Sequence, residues 1–527
     1  MKKEVKKWGF SLVLTVPILF FLSAYFFNHS KDVIPTGFIQ YDNVSYAANA
    51  QQLFKNGNLF YANRLNDSDH YPRIYFQPQH LILAGLMKAG FAPGLAFCFF
   101  SCIFSLIFFR TLILLYDHLY PLSKHPTLVM IVFSWGGGML ALSGWLLYLL
   151  HILPGKNIQA ASLALDPAAG WWGLNLGRSL FFSMESYYHF LFFAGVYLIV
   201  QKKWLPATIV AVILSLSHPF TGLEFLSILC LWFTLEKILF KNDTIPAGFV
   251  FSILAFTAFH AWYYLVYLNH FPEHRIIFSQ YQLNWRLRFY NIFPAYIVVA
   301  ALAVISFLKP PLKTSENTRL FICWALVAFV LANHELIIKP TQPLHFTRGY
   351  IWAPLFLLGI PTVESLISFL IKNIRGKIIL AIGIILFLLD NINWIYLNSR
   401  YTSSKSSISF IDLQQKAILE YLNKNTGINT LIIGSDECLP YLSTLYTQAS
   451  PWISHVYNTP FYDQKLQAYN AYLKSGARPA AWIHRELVFI VDKKNAAEMS
   501  RYAAVVSFVP KIYETSDYIL YRDGSVK

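Results

Sequence analysis

Ionisable side chains occur in pairs at helical spacing within strongly apolar parts of this chain. Glu185 and His189 are four residues apart, so both would lie on one face of a helix. His345 and Arg348 are three apart and would likewise face one cavity. Carboxylates and imidazoles exchange protons and a guanidinium binds anions, so this is the chemistry that the pairs could supply. The alternatives are that Glu185 and His189 only satisfy each other and that Arg348 snorkels at a helix end.

Two further positions allow both a functional and a structural interpretation. Asp42 lies in the segment 37–54, which resembles an amphipathic helix at a membrane interface, and its carboxylate could act in chemistry or cap that helix. His218 precedes Pro219 at a break in the apolar stretch 205–236. Its ring could contact a ligand or cap the helix that follows.

The sequence contains none of the common metal, phosphate-loop or zinc-protease patterns. HExxH, CxxC and GxxxxGK[ST] are absent. His270 and His274 are four apart, but the proline between them argues against a shared helix face. No cofactor is therefore indicated, and a divalent metal is left open. His455, in the aromatic stretch 452–465, could contact a ligand or only help that region to pack.

Membrane helices must position these residues, because the composition excludes an ordinary soluble protein. Of the 527 residues 56% are hydrophobic and only 13% are charged, against about 25% charged in soluble domains. Disordered, collagen-like and disulfide-scaffold classes are excluded by the same figures. The formal net charge of +15 could suggest nucleic acid. In a membrane protein, however, basic residues first report orientation, so we expect a lipid bilayer and no nucleic acid as partner.

Apolar runs near the length of a bilayer crossing predict about eleven transmembrane helices. Nine runs lie around 8–27, 92–116, 126–151, 183–201, 246–268, 289–308, 320–333, 350–371 and 378–397. The stretch 205–236 adds a hairpin of two short helices with His218 and Pro219 at its tip; a single kinked helix is the alternative. The hairpin places the excess of Lys and Arg in cytoplasmic loops, as the positive-inside rule expects. The N-terminus is then cytoplasmic and the long loop 28–90 lies outside.

The composition changes after residue 397. Residues 398–527 contain no membrane-length apolar run, and their patterns predict helices at 412–424 and 463–474, strands at 429–434 and 487–492, and a hairpin at 512–522. We therefore predict a transmembrane domain at 1–397 and an extracytoplasmic α/β domain at 398–527.

The first outer loop resembles that of the GT-C membrane glycosyltransferases. It opens with Asp42 ahead of a Tyr46-x-x-x-Ala50 pattern and continues into a Pro- and Tyr-rich turn at 71–80. The broken His-Pro-Phe-Thr-Gly hairpin and the soluble α/β domain after the last span are similar to features of the same family. Many members carry an adjacent acidic pair, whereas here Tyr41 precedes a lone Asp42.

The resemblance implies an enzyme of the bacterial cytoplasmic membrane. It would transfer a sugar from a polyprenyl-phosphate donor to a lipid, glycan or protein acceptor on the outer face. Asp42 would be the catalytic base, with Glu185 as a second carboxylate. Arg348, His345 and His218 would bind the donor phosphate. Four further residues are expected to contact the sugar or acceptor: Tyr46, His80, His189 and His455.

Two other classes of function fit the same composition. One is a transporter or flippase of a lipid-linked substrate, and the other is a non-enzymatic membrane scaffold. Transporters tend to show repeats and polar residues near the bilayer midplane. The polar residues here cluster at the predicted outer ends of the helices, which favours the enzyme.

Overall fold

The computed structural model describes residues 2–55, 57–67, 72–153, 156–308, 315–400, 408–434, 438–495, 499–503 and 509–524. Tyr71, the first residue of the predicted turn, lies outside these ranges. The chain divides into two compact units, each assembled from separate segments. The first unit contains Met1–Ala24, Phe99–Tyr264 and Gln282–Tyr401, and the second contains Tyr25–Cys98, Leu265–Tyr281 and Thr402–Lys527.

Helices dominate the described residues. The α-helices are α1 (Lys2–Phe27), α2 (Asn43–Lys55), α3 (Pro78–Lys88), α4 (Pro93–Leu119), α5 (Pro126–Trp135), α6 (Leu140–Leu149), α7 (Ile158–Ser162), α8 (Leu176–Ser179), α9 (Ser183–Val200), α10 (Trp204–Ser217), α11 (Pro219–Ile238), α12 (Ala247–Ala261), α13 (Pro272–Gln280), α14 (Phe289–Phe307), α15 (Glu316–Ala332), α16 (Trp352–Leu370), α17 (Ile374–Arg400), α18 (Leu413–Asn425), α19 (Cys438–Tyr446) and α20 (Tyr462–Ser475). The strands are β1 (Val33–Pro35), β2 (Phe410–Asp412), β3 (Thr430–Gly434), β4 (Ser450–Pro451), β5 (Glu486–Asp492), β6 (Lys511–Glu514) and β7 (Tyr518–Asp523).

The protein is a polytopic α-helical membrane protein whose C-terminal residues form a β-sheet with helices. Within the described ranges, seven helices are long and apolar enough to cross a membrane: α1, α4, α11, α12 with the turns that extend it to His270, α14, α16 and α17. The bent pair α5 and α6 makes an eighth. The remaining three predicted spans are helices of 18, 14 and 17 residues, namely α9, α10 and α15. Length and composition therefore identify seven or eight of the predicted spans among the described residues, and the count of about eleven is not confirmed.

The predicted span at 126–151 is bent, because α5 and α6 meet at an angle of 60°. Three consecutive glycines, 136–138, separate the two helices, and Gly138 has a φ of +89°. A Cβ on Gly138 would lie 2.6 Å from the carbonyl oxygen of Ala295. Asp390 caps the N-terminus of α6 at this bend. Its carboxylate accepts hydrogen bonds from the backbone N–H groups of Leu140 at 3.1 Å and Ala141 at 2.8 Å.

The hairpin predicted at 205–236 is confirmed. α10 ends at Ser217 and α11 begins at Pro219, where a missing N–H costs nothing in a first helical turn. The two helices pack against each other beside this tip. A Cβ on Gly222 would lie only 2.4 Å from the Cα of Ser215, so the tip depends on a glycine at that position.

The second unit contains a mixed five-stranded sheet in the order β4-β3-β5-β7-β6. β3 runs parallel to β4 and β5, and β7 runs antiparallel to β5 and β6. The predicted helices and strands of the C-terminal residues all have counterparts here. The first outer loop belongs to this unit as well, because β1 pairs antiparallel with β2. The division therefore differs from the one predicted at residue 398.

The helix predicted over 37–54 starts later and is covered by protein. α2 begins at Asn43, and residues 37–42 are not helical. Most of α2 is buried, including the polar residues Ser45 and Asn49, because the helix packs against α3 and α19 of the same unit. The interpretation as a helix lying at a membrane interface is therefore wrong for α2.

Candidate functional site

In the second unit, the carboxylate of Asp42 is bonded to the ring of His455. The Nε2 atom of His455 lies 2.7 Å from Oδ1 of Asp42. The alternative was that the Asp42 carboxylate caps α2. The carboxylate is instead bonded to His455, and it is the backbone oxygen of Asp42 that accepts from Tyr46 N–H. Two residues singled out separately in the sequence therefore form one pair.

The hydrogen bonds of His455 fix which ring nitrogen carries the proton. Its Nδ1 atom accepts from the backbone N–H groups of Tyr457 at 3.1 Å and Asn458 at 3.2 Å. The proton therefore resides on Nε2, which donates to Asp42. The His455 side chain is 1% exposed and that of Asp42 is 34% exposed. A buried neutral imidazole thus holds one oxygen of a carboxylate that is partly open to the surroundings.

Tyrosines enclose this pair. The ring of Tyr41 lies 4.5 Å from that of His455, measured between centroids. Tyr441 donates its hydroxyl proton to the backbone oxygen of Tyr41 at 2.9 Å and accepts from Ser45 N–H at 3.1 Å. Burial raises the pKa of Tyr441 well above its ordinary value, and the charge of Asp42 raises it further. Tyr441 therefore stays a protonated hydroxyl.

The end of α13 fixes the loop that carries His455. Gln280 donates from Nε2 to the carbonyl oxygens of Tyr457 at 3.0 Å and Thr459 at 3.1 Å. The hydroxyl of Tyr281 donates to Oδ1 of Asn458. Burial, aided by the charge of Asp42, raises the pKa of Tyr281. Three separate segments of the second unit therefore contribute to the Asp42 site.

Tyr46 and His80 lie together in the second unit. Their ring centroids are 5.5 Å apart, and Tyr61 contacts the His80 ring at 4.9 Å. His80 is fully buried, and among the described residues neither ring nitrogen has a hydrogen-bond partner. Burial lowers the pKa of His80 to about 3. Contact of these residues with a sugar or acceptor stays a prediction.

In the first unit, Arg348 is bonded on two sides. Its Nη1 atom donates to Oε1 of Glu185, and its Nη2 atom donates to Nδ1 of His345 at 2.7 Å. The guanidinium carbon lies 5.2 Å from the ring centroid of Trp172, within the range of a cation–π contact. Both Arg348 and Glu185 are buried. The two pairs recognised in the sequence are therefore brought together around Arg348.

Glu185 and His189 do not pair through their side chains. The carboxylate of Glu185 goes to Arg348, whereas the ring of His189 lies between two backbone oxygens. These are the oxygens of Glu185, 2.7 Å from Nδ1, and Arg348, 2.8 Å from Nε2. His189 thus contacts the backbone of both members of the ion pair.

His218 is both a helix cap and a neighbour of the phosphate-binding candidates. Its Nδ1 atom accepts from the backbone N–H of Thr221 at 3.2 Å, as the N-cap of α11. Its ring lies 5.8 Å from that of His345, and Phe220 stacks on His345 at 4.5 Å. Burial, and to a lesser extent His218, hold the pKa of His345 well below its ordinary value. His345 is thus neutral and accepts from Arg348.

Each cluster suggests a different chemical task. The Asp42 cluster presents a carboxylate that can accept a proton, and the Arg348 cluster presents a cation within aromatic walls. Within the described ranges, no three His, Cys, Asp or Glu residues are grouped so as to hold a metal ion. Three participants, Trp172, Tyr281 and Tyr441, could not be recognised from the sequence, because single aromatic residues are common throughout this chain.

Comparison with known proteins gives structural likeness only. No protein-family model and no curated protein matches the sequence. The chain is similar to the archaeal oligosaccharyltransferase AglB from Archaeoglobus fulgidus, solved in complex with an inhibitory peptide and a dolichol-phosphate. The TM-score is 0.48 and the identity is 11%, over 98% of this chain and 74% of that chain. It is also similar to the apo form of the Archaeoglobus fulgidus oligosaccharyltransferase, with a TM-score of 0.45 and 11% identity over 95% of this chain and 72% of that chain.

Proposed function

We propose that this protein is a membrane glycosyltransferase that takes a sugar from a polyprenyl-phosphate donor and transfers it to a lipid, glycan or protein acceptor on the outer face of a bacterial cytoplasmic membrane. The observation that carries the proposal is the hydrogen bond from the buried Nε2–H of His455 to the partly exposed carboxylate of Asp42. A carboxylate held in this way is oriented to accept a proton from an attacking hydroxyl.

The proposed reaction divides into two tasks. Asp42 accepts the proton of the acceptor hydroxyl as that oxygen attacks the anomeric carbon of the donor sugar. The bond between that carbon and the phosphate oxygen breaks, and the lipid phosphate leaves with the negative charge. Arg348 is assigned to this phosphate, since guanidinium groups bind phosphate through charge-assisted hydrogen bonds. His345 and His218 are the neighbouring groups assigned to the same ligand.

A transporter or flippase of a lipid-linked substrate is the second candidate, and the bent pair α5 and α6 is the observation in its favour. Discontinuous helices form substrate and ion sites in many transporters, often at the N-terminus of a half-helix. Here the N-terminus of α6 is already occupied, because Asp390 accepts from Leu140 and Ala141. This arrangement supports a structural role for the bend and favours the enzyme.

The test is a donor screen on the full-length protein in liposomes. Short-chain polyprenyl-phosphate hexoses and pentoses are supplied with a membrane extract as the source of acceptor, and release of polyprenyl phosphate is measured. Asp42→Asn is expected to lower turnover by about 10²- to 10⁴-fold, the range of a general base. Asp32→Asn is the matched control, because Asp32 is an exposed aspartate of the same unit.

Normal turnover by Asp42→Asn would contradict the assignment of the base. A fluorescent polyprenyl-phosphate lipid supplied on one side of the same liposomes distinguishes the second candidate. Movement of this lipid across the bilayer, with no release of polyprenyl phosphate from any donor, would favour the transporter and contradict the enzyme.

A further inference from the structure

The guanidinium of Arg348 already has a counter-ion, and this bears on how a phosphate could bind it. We propose that Glu185 is a resident counter-ion of Arg348, which the phosphate group of a ligand displaces when it binds. The inference rests on the proposed function for the assignment of phosphate to Arg348. It gives Glu185 a role in setting affinity for the anion rather than in proton transfer.

The geometry of the pair is that of a closed contact. Nη1 of Arg348 donates to Oε1 of Glu185, and both side chains are buried, at 7% and 6% exposure. Nη2 is bonded to the neutral ring of His345, and Trp172 covers one face of the guanidinium. A phosphate oxygen that accepts the Nη1 proton now bonded to Glu185 would therefore occupy the place of the Glu185 carboxylate.

Charge balance gives the reason for an exchange. Arg348 and Glu185 together carry no net charge, and His345, which accepts from Arg348, adds none. A phosphate that entered while Glu185 stayed in place would bring a second negative charge to a single buried cation. Like charges close together in a medium of low dielectric repel strongly, so the phosphate and Glu185 compete for Arg348.

Glu185 also has a feature that suits a movable counter-ion. Its second oxygen, Oε2, is buried and has no hydrogen-bond partner among the described residues. Only one of its two oxygens is therefore engaged, whereas a bidentate pair would engage both. Glu236 provides the contrast, since Arg319 and Asn242 donate to its two oxygens.

The ligand class follows from this chemistry. It carries a phosphate group whose oxygens replace a carboxylate on one guanidinium, and aromatic groups line the site. A lipid headgroup and free phosphate share this chemistry, so the experiment must include both. Farnesyl phosphate and inorganic phosphate are suitable probes, with farnesol as the matched lipid that lacks the phosphate.

Equilibrium binding to the purified full-length protein tests the exchange. Glu185→Gln keeps the side-chain shape but removes the competing charge, and we expect farnesyl phosphate to bind it at least 10-fold more tightly than it binds the parent protein. Arg348→Gln should lose most of the binding, and the double variant should behave like Arg348→Gln. Glu236→Gln opens another Glu–Arg pair of the same unit, in which the glutamate is also buried, and should leave the affinity unchanged.

Unchanged or weaker binding by Glu185→Gln would overturn the proposal. Should this variant not remain monodisperse, Glu185→Asp gives the same test, because the shorter carboxylate loosens the pair; we expect tighter binding by a smaller factor, and weaker binding would overturn the proposal. Tighter binding of inorganic phosphate but not of farnesyl phosphate would identify free phosphate as the source. Tighter binding of farnesyl phosphate without sugar release from any donor would leave this inference standing and contradict only the proposed function.

Discussion

His455 is the residue whose removal tests the proposed catalytic site most directly. It is buried, its Nδ1 atom is held by two backbone amides, and its Nε2–H donates to Asp42 at 2.7 Å. His455→Phe keeps a ring of similar size in the site but removes the donor. The carboxylate would then lose the hydrogen bond that sets its orientation.

The size of the effect follows from the kind of hydrogen bond. A hydrogen bond to a charged group contributes about 1.5–3 kcal/mol, and each 1.36 kcal/mol changes a rate tenfold. If the full contribution is felt in the transition state, His455→Phe lowers turnover by about 10- to 150-fold. His455→Gln keeps an N–H donor, so we expect it to retain more activity than His455→Phe.

The assay is release of polyprenyl phosphate at saturating donor. It is measured for His455→Phe, for Asp42→Asn and for the double variant that carries both changes. Because His455 acts through Asp42, adding His455→Phe to Asp42→Asn should cause little further loss. His484→Phe makes the same change at an exposed position of the same unit and should retain full turnover. Losses that multiply in the double variant would show that His455 acts independently, and the reasoning from the hydrogen bond would be refuted.

Three further predictions concern stability. Burial lowers the pKa of His80 to about 3, so the unfolded state takes up a proton first as the pH falls below about 6.5. The free energy of unfolding should therefore fall by about 2 kcal/mol between pH 7 and 5. His80→Phe should remove this contribution, and an unchanged drop in unfolding temperature in that variant would contradict the prediction. Gly94→Ala should destabilise the protein strongly, because the new Cβ would lie 1.8 Å from the carbonyl oxygen of Thr36, whereas Gly85→Ala meets nothing within 4 Å and should not lower the unfolding temperature. Asp390→Ala removes the cap of α6 and should lower the free energy of unfolding by about 0.5–2 kcal/mol. An unchanged unfolding temperature would contradict this role of Asp390.

Local patterns in the sequence were sufficient for most helices and strands. The predicted helix at 463–474 corresponds to α20, and the predicted strand at 487–492 corresponds to β5. These elements have clear periodicity, and that signal is local. The bend between α5 and α6 was missed because hydropathy continues through Gly136–Gly138, although the glycines themselves signalled a break. The position of α2 was misread because α19 covers its polar residues, and no local pattern can report a neighbour so distant in sequence.

The candidate residues were recognisable from the sequence, but their partners were not. Asp42 and His455 stand 413 positions apart, and Glu185 and Arg348 stand 163 apart. Helical spacing could only suggest that Glu185 faces His189, since it compares residues on one helix. The observed partner of Glu185 comes from a different segment, and only the folded chain brings it close.

The two clusters differ in exposure, and the difference matches the tasks proposed for them. A base must meet the hydroxyl that it deprotonates, and the carboxylate of Asp42 is partly exposed while its supporting histidine is buried. A phosphate ligand gains most from a cation that is shielded from water, because electrostatic attraction strengthens as the dielectric falls. An unpaired buried guanidinium would, however, carry a large desolvation cost in the free protein. Glu185 offsets that cost for Arg348 until a phosphate takes its place, so the same burial that favours the ligand also requires the counter-ion.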